Sequence, residues 1–309
     1  MRAAYLLATQ CLPKHSHRFS RHDFTLPQLF ACLVVREHQK KSYRGVEALL
    51  ADCPDWLAGI GLSRVPDHNT LWRAFKHLVK PGGVNSMLDQ TACWAEQRQL
   101  IRGRVKPVAL DSSMFESRHV SRHFEKRQDQ TAQNRRNARQ NRAKRADRRR
   151  SRVVRGLPKL SLAVAAASHL ILAARATTGG GADHPHFAPL LRQARRRATF
   201  TTAVADAGYD SEANHATARR GMGVRSIIPP YSGRPTDKPP TTRYRRHMYH
   251  RFKRRADKAQ YGQRWQAETV NSMIKRNLGS ALRARTAPRR RNELLLRVVT
   301  HNLMILQQE

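Results

Sequence analysis

The stretch KLSLAVAAASHLILAARAT, residues 159–177, contains two short apolar runs on either side of Ser168. Short apolar runs bounded by turn residues are typical of buried strands, so this stretch predicts a β-hairpin. One run of similar composition precedes it, VKPVAL at 105–110, and two follow it, FTTAVADA at 200–207 and VRSIIP at 224–229. We therefore expect five strands in that order along the chain.

Helical segments separate the third, fourth and fifth of these strands, and a pair of helices closes the chain. The resulting order, βββαβαβα, is the order of the RNase H-like fold. In that fold the first three strands are antiparallel, and the fourth lies parallel beside the first after a helical crossover. We predict that residues 105–309 form an α/β domain of this kind, with a mixed five-stranded sheet.

A basic insert interrupts this predicted domain at about residues 116–156. From residue 124 onward it has almost no large apolar side chains, so it cannot build a core. The segment is compatible with a solvated, partly helical loop and with an arm that neutralises DNA phosphates. Neither interpretation implies that it recognises a particular base sequence.

The segment before the first strand, residues 1–104, predicts an all-α N-terminal domain. The sequence T-L-P-Q from Thr25 is typical of a capping box at the start of a helix. Ser42 can cap a second helix, a third carries Phe75 on its apolar side, and a fourth is expected across residues 85–100.

The third predicted helix has a polar outer side that includes Arg73 and Lys76. A short helix, a turn and a helix of this kind resemble a helix-turn-helix. We therefore predict that the N-terminal domain binds DNA and that Arg73 and Lys76 contact it. Any small helical bundle would show the same apolar spacing, so plain packing is the alternative.

The chain carries 59 Lys and Arg residues against 22 Asp and Glu, a formal net charge of +37. A surplus of this size repels itself unless a polyanion neutralises it, and nucleic acid is the obvious polyanion. Ribosome-associated and membrane-surface proteins can be equally basic. The charge therefore indicates the class of partner but does not identify a reaction.

The four cysteines, at positions 11, 32, 53 and 93, form no CxxC pair. They indicate neither a zinc knuckle nor a disulfide framework, and we interpret them as buried small apolar residues in a reducing compartment. The opening segment is a poor signal peptide, and no run reaches membrane-spanning length. We expect a cytoplasmic protein with no membrane partner.

Two aspartates mark the ends of predicted strands. Asp111 ends the first strand and Asp206 ends the fourth. If those strands are parallel neighbours, the two carboxylates emerge side by side at one edge of the sheet and can chelate a metal. For either residue alone the better interpretation is structural, because aspartate is common where a strand enters a turn and its side chain bonds to the local backbone.

A predicted helix in the segment 259–279 adds a third acid. Its polar residues Tyr261, Arg264, Glu268 and Lys275 fall in one narrow sector at 100° per residue. The apolar residues of the opposite sector are Ala267, Val270, Met273, Ile274 and Leu278. The helix can therefore pack on the sheet and present a carboxylate flanked by two cations. A helix-surface ion pair between Arg264 and Glu268 is the simpler alternative.

The spacing of Tyr261, Arg264, Glu268 and Lys275 resembles the Y-R-E-K signature of DDE transposases encoded by bacterial insertion sequences. The segment AVADAGYDSEAN, residues 203–214, is similar to the sequence around their second acidic residue. The resemblance covers the chain from residue 105 onward, with a looser likeness in SYRGVEALL and VPDHNTLWRAF.

This resemblance implies three catalytic acids, Asp111, Asp206 and Glu268, with Tyr261, Arg264 and Lys275 holding DNA-end phosphates. It implies the terminal inverted repeats of a transposon and a target DNA as partners, a homodimer in the DNA complex and a place at the nucleoid.

Cleaving a phosphodiester requires an activated nucleophilic oxygen, a neutralised phosphate and a stabilised leaving oxygen. Two metal ions roughly 4 Å apart supply all three. Carboxylate ligands suit Mg²⁺ or Mn²⁺. We expect Asp111 to bridge two such ions and Asp206 and Glu268 to hold one each.

Two further functions stay open at this point. An RNase H-like nuclease would share the metal chemistry without strand transfer. A non-catalytic DNA-binding derivative of a transposase would keep the basic surface alone, although intact acids at all three positions argue against decay.

Overall fold

The computed structural model of the chain describes residues 1–19, 22–101, 103–105, 107–117, 157–179, 181–230, 239–255 and 257–307. Most of the predicted basic insert, residues 118–156, lies outside these ranges. Among the described residues, no helix is both long and apolar enough to cross a membrane.

Six helices fill the described part of the first hundred residues: α1 (Arg2–Cys11), α2 (Leu26–His38), α3 (Tyr43–Ala51), α4 (Pro54–Ala58), α5 (His68–Leu78) and α6 (Pro81–Gln97). The capping box before α2 is confirmed, since Thr25 and Gln28 exchange hydrogen bonds of 2.9 and 3.3 Å. Ser42 caps α3 by accepting a 2.9 Å bond from the Gly45 N–H. The short helices α1 and α4 were not predicted.

The strands are β1 (Arg104–Val105), β2 (Val108–Met114), β3 (Glu116–Ser117), β4 (Pro158–Ala165), β5 (Ile171–Thr178), β6 (Thr199–Phe200), β7 (Thr202–Ala205), β8 (Arg225–Ile227) and β9 (Ala281–Leu282). Five of them form the central sheet in the order β5-β4-β2-β7-β8. β2, β4 and β5 are antiparallel, whereas β7 is parallel to both β2 and β8. The predicted mixed five-stranded sheet is confirmed.

Helices cover both faces of this sheet: α7 (His184–Arg197), α8 (Glu212–Met222), α9 (Arg243–Lys253), α10 (Lys258–Gly262), α11 (Trp265–Leu278) and α12 (Ala287–Gln307). On one face, Phe187 and Leu190 of α7 pack in a core with Leu110 of β2. On the other face, Val270 of α11 packs in a second core with Ala109 of β2.

The C-terminal helix α12 is buried between the N-terminal helices and the sheet, and residues of all three share one core. An ion cluster crosses this junction. Arg297 of α12 lies 2.9 Å from the Glu37 carboxylate of α2 and 3.0 Å from that of Glu293. Burial alone would raise the pKa of Glu37, but Arg36, Arg297 and Arg283 hold it below its ordinary value. The fully buried glutamate is therefore charged and paired.

Candidate active site

Asp111 and Asp206 each follow one member of a residue pair that joins two parallel strands. The register pairs Leu110 of β2 with Ala205 of β7, and each aspartate is the next residue along the chain. Asp206 follows the last residue of β7, as predicted, but Asp111 lies in the middle of β2, so the prediction that it ends the strand is wrong. The reason is β4, whose antiparallel ladder with β2 continues to Met114 after β7 has ended.

Both aspartates follow the strand alternation toward the face that α11 covers. Successive side chains of a strand point to opposite faces. Two residues before each aspartate, Ala109 and Val204 pack in the same core as Ala267 of α11. Asp111 is half-buried and Asp206 is exposed. The backbone therefore places a half-buried carboxylate and an exposed carboxylate on the same side of the sheet.

Glu268 lies on the exposed side of α11. Its side chain is 52% exposed and forms a 2.5 Å salt bridge with Arg264, one turn earlier. The predicted apolar face is confirmed except for Met273, which is half-buried. The buried members of that face are Ala267, Val270, Ile274 and Leu278.

The predicted single helix through Tyr261 and Glu268 is wrong, because the segment forms two helices. α10 ends at Gly262, whose helix propensity is low, and a tight turn precedes α11. In that turn the Arg264 N–H bonds to the Tyr261 carbonyl three residues back, at 2.9 Å. Tyr261 still lies beside Arg264, whose guanidinium carbon is 5.8 Å from the tyrosine ring centroid.

Arg264 lies within electrostatic reach of both exposed acids. Burial lowers the pKa of its guanidinium, but the hydrogen bond with Glu268 and the charges of Tyr261, Glu268 and Asp206 together raise it. Burial raises the pKa of Tyr261, and the charges of Asp206 and Glu268 raise it further. These interactions connect Asp206, Arg264, Tyr261 and Glu268 in one cluster.

A cleft of about 520 Å³ opens between β2 and α11. Asp111 and Glu268 both line it, together with Lys275 and Arg276. Lys275 is held over the Phe115 ring, with its Nζ 5.2 Å from the ring centroid. Asp206 is not among the residues that line the cleft. Two acids and two cations in one open cleft suit a ligand that carries both phosphate and a bound cation.

Asn271, which the sequence reasoning missed, holds Asp111 in place. The Asn271 side chain is buried, and its Nδ2 donates a 3.1 Å hydrogen bond to Asp111 Oδ2. Burial raises the pKa of Asp111, and the charge of Glu268 adds to this, whereas the bond from Asn271 opposes it. A polar residue inside the apolar face of a helix was the available signal.

A second group of polar residues supports the aspartates from the opposite face of the sheet. Ser112, next to Asp111, donates a 2.5 Å hydrogen bond to Asp183 Oδ1, and the buried Lys159 ammonium lies 2.5 Å from the same oxygen. Gly208, in the turn after Asp206, approaches so closely that a Cβ there would lie 3.2 Å from Asp183 Oδ2. Asp183 therefore connects the two backbone segments that carry the candidate acids.

The N-terminal residues Arg73 and Lys76 lie on α5, apart from the cleft lining. Arg73 is exposed and Lys76 is half-exposed. The Lys76 ammonium lies 3.3 Å from the Trp72 ring centroid, and Arg289 of α12 lies 4.9 Å from the same ring. Helix α5 therefore has cations on its outer side, as predicted, and Arg289 of α12 extends this group of cations.

The donor chemistry of this region suits a hard divalent cation. It offers the carboxylates of Asp111, Asp206 and Glu268, and the buried Asn271 Oδ1, beside Asp111, has no hydrogen-bond partner among the described residues. Within the same residues, no group of three or more His, Cys, Asp and Glu side chains is close enough to hold a metal.

A family model described as "Transposase DDE domain" matches residues 102–303, which covers all three candidate acids and the sheet. No curated protein matches the chain.

Proposed function

The chain belongs to the transposase DDE-domain family, and on that basis we propose that it is the transposase of an insertion sequence. Its reaction would be metal-dependent cleavage of DNA at the transposon ends, followed by transfer of the cut strand into target DNA. The catalytic residues would be Asp111, Asp206 and Glu268. The supporting observation is the adjacent register of the two aspartates beneath the helix that carries Glu268.

The cofactor would be two Mg²⁺ or Mn²⁺ ions held by the three carboxylates. When bound, such ions activate the attacking oxygen and neutralise the charge that develops on the phosphate and the leaving oxygen. Asp111 would help to hold these ions, and the Asn271 amide would keep its carboxylate in a fixed orientation.

The cations around the acids would hold the DNA. Arg264 offers a planar fork that can grip two phosphate oxygens, and its position between Asp206 and Glu268 suits the phosphate next to the cleaved bond. Lys275 would bind a second phosphate within the cleft. Tyr261, beside Arg264, would fix the position of the guanidinium and contact the same DNA end.

The remaining parts of the proposal concern the DNA and its recognition. Residues 1–104 would form a helical DNA-binding domain that uses Arg73 and Lys76, and residues 105–309 an RNase H-like catalytic domain. The partners would be the terminal inverted repeats and a target DNA, bridged by a homodimer. We expect this activity in the cytoplasm, at the nucleoid.

A cleavage and joining assay tests this proposal. The protein is incubated with labelled DNA carrying the element's ends, with Mg²⁺, Mn²⁺ or EDTA. Metal-dependent nicking and strand transfer, both lost in Asp111→Ala, support the transposase. Nicking without joining indicates a nuclease, and tight binding without cleavage indicates a binding protein. Glu116→Ala is the matched control, since Glu116 is an exposed acid just after the same strand.

A further inference from the structure

Helix α9, with the sequence RYRRHMYHRFK, has a continuous basic stripe along its exposed side. At 100° per residue, the members of this stripe fall within about 120° of the helix circumference. They are Arg243, Arg246, His247, His250 and Lys253, with Arg254 directly after the helix, and all are exposed. The buried Met248 lies on the opposite side and anchors the helix in the core.

The arginines on the inner side of α9 already have acidic partners. Arg245 lies 2.8 Å from Asp210, and Arg251 lies 2.6 Å from the buried Asp257. No ion pair found in the described part of the chain includes a member of the basic stripe. The inner cations therefore account for the packing of the helix, whereas the arginines and the lysine of the stripe form a concentration of positive charge without an acidic partner in the described part of the chain.

Both ends of α9 are fixed to segments of the candidate active site. At its start, the backbone N–H groups of Tyr244 and Arg245 donate hydrogen bonds of 3.1 and 3.2 Å to the Glu212 carboxylate. Glu212 begins helix α8, which follows the turn after Asp206 in the sequence. At its end, the Phe252 ring packs edge-on against Tyr261, with centroids 5.1 Å apart. The stripe is thus carried by a helix that is braced against the Asp206 and Glu268 segments.

We propose that the basic stripe of α9 binds the sugar-phosphate backbone of the DNA duplex that enters the active site. This inference rests on the proposed function. From Arg243 to Arg254 the stripe extends about 16 Å, the length of roughly five base pairs. Contacts of Arg and Lys with phosphates carry no base preference, so the stripe holds the duplex in place whatever its sequence.

Helix α7 supplies a matched comparison on the other face of the sheet. Its Arg192, Arg195 and Arg196 are exposed, and together they carry the same charge as Arg243, Arg246 and Lys253 of the stripe. The apolar side of α7 packs in the core opposite α11. These arginines therefore present the same charge without bordering the active site.

The test compares two triple variants for binding to a duplex DNA of random sequence, by fluorescence anisotropy across a range of salt concentrations. The first is Arg243→Gln, Arg246→Gln, Lys253→Gln, and the second is Arg192→Gln, Arg195→Gln, Arg196→Gln. Losing three phosphate contacts makes the negative slope of log affinity against log salt shallower by about 2–3. It also weakens binding by about 10- to 100-fold at about 0.15 M salt. We expect this for the α9 variant and little change for the α7 variant.

The inference is overturned if the α9 variant binds as tightly as the unchanged protein. It is also overturned if both triple variants lose the same affinity, because only the amount of charge would then matter. Thermal unfolding of each variant identifies any loss that comes from misfolding; in that case the single variants Arg246→Gln and Arg192→Gln decide. Nicking by the unchanged protein is measured in parallel. A protein that binds through α9 but never nicks leaves this inference standing and contradicts the proposed function.

Discussion

Asn271 on helix α11 donates a 3.1 Å hydrogen bond to Asp111 on strand β2, which joins the half-buried candidate acid to the helix that carries Glu268. Replacing Asn271 with Ala should lower DNA cleavage by about 10- to 100-fold and raise the divalent-ion concentration needed for half-maximal cleavage, because Asp111 loses its orienting partner. Cleavage rates measured over a series of Mn²⁺ concentrations test this.

The matched control is Asn277→Ala, since Asn277 is exposed on the same helix. If Asn271→Ala cleaves as fast as Asn277→Ala at every Mn²⁺ concentration, then Asn271 has no part in positioning Asp111.

Asp111→Asn should be inactive and yet more stable than the unchanged protein at neutral pH without metal. Burial raises the pKa of Asp111, so the folded state favours the protonated acid. Protonated Asp111 therefore stabilises the fold fully below the pKa of the unfolded chain, about 3.9. This stabilisation is lost as the pH rises through the higher pKa of the folded protein. Thermal unfolding in EDTA at pH 7 and near pH 4 measures the effect, and the difference should shrink at the lower pH. An Asn variant that melts below the unchanged protein at pH 7 contradicts it.

Glu37→Ala should destabilise the fold by about 3–5 kcal/mol, because it removes the buried carboxylate that pairs with both Arg36 and Arg297. Urea unfolding measures the change in the free energy of unfolding. For comparison, Glu47→Ala removes a 2.9 Å pair with His68 that is about one-third exposed, and it should cost less than about 1 kcal/mol. Similar costs for the two variants would mean that the buried cluster is not specially stabilising.

Gly208→Ala should slow cleavage more than it lowers stability. The new Cβ would lie 3.2 Å from the Asp183 carboxylate, so the carboxylate and the turn after Asp206 must move apart, and a shift of the turn displaces that acid. Gly221→Ala makes the control, because nothing lies within 4 Å of a Cβ there and alanine is about 0.5–1 kcal/mol better than glycine inside a helix. Unchanged cleavage in Gly208→Ala would indicate that the turn tolerates the methyl group.

The central sheet could be predicted from the sequence because each strand is a short apolar run with a turn at its end. Those signals are local. The position of Asp111 in its strand depends instead on β4, which follows the long insert and extends the ladder beyond β7. No local pattern around Asp111 contains that information.

The placement of a candidate residue was predictable where its own helix determines it, and not where it depends on a partner in another segment. The exposed position of Glu268 follows from the apolar face on the other side of α11. Asn271 lies inside that face, and its role becomes visible only when Asp111 is packed against it. Helix α9 was missed because its apolar content is low, and it is stabilised by acids from other segments, such as Asp210 and Asp257.

The burial of α12 between the N-terminal helices and the sheet also governs when the protein can fold on the ribosome. Glu37 leaves the ribosome early, but its partner Arg297 is synthesised near the end of the described chain. Contacts this distant in sequence form late and slow the folding of a domain. A chain that stops before α12 lacks the helix that fills the core between the N-terminal helices and the sheet. The fold can therefore be completed only after α12 has been synthesised.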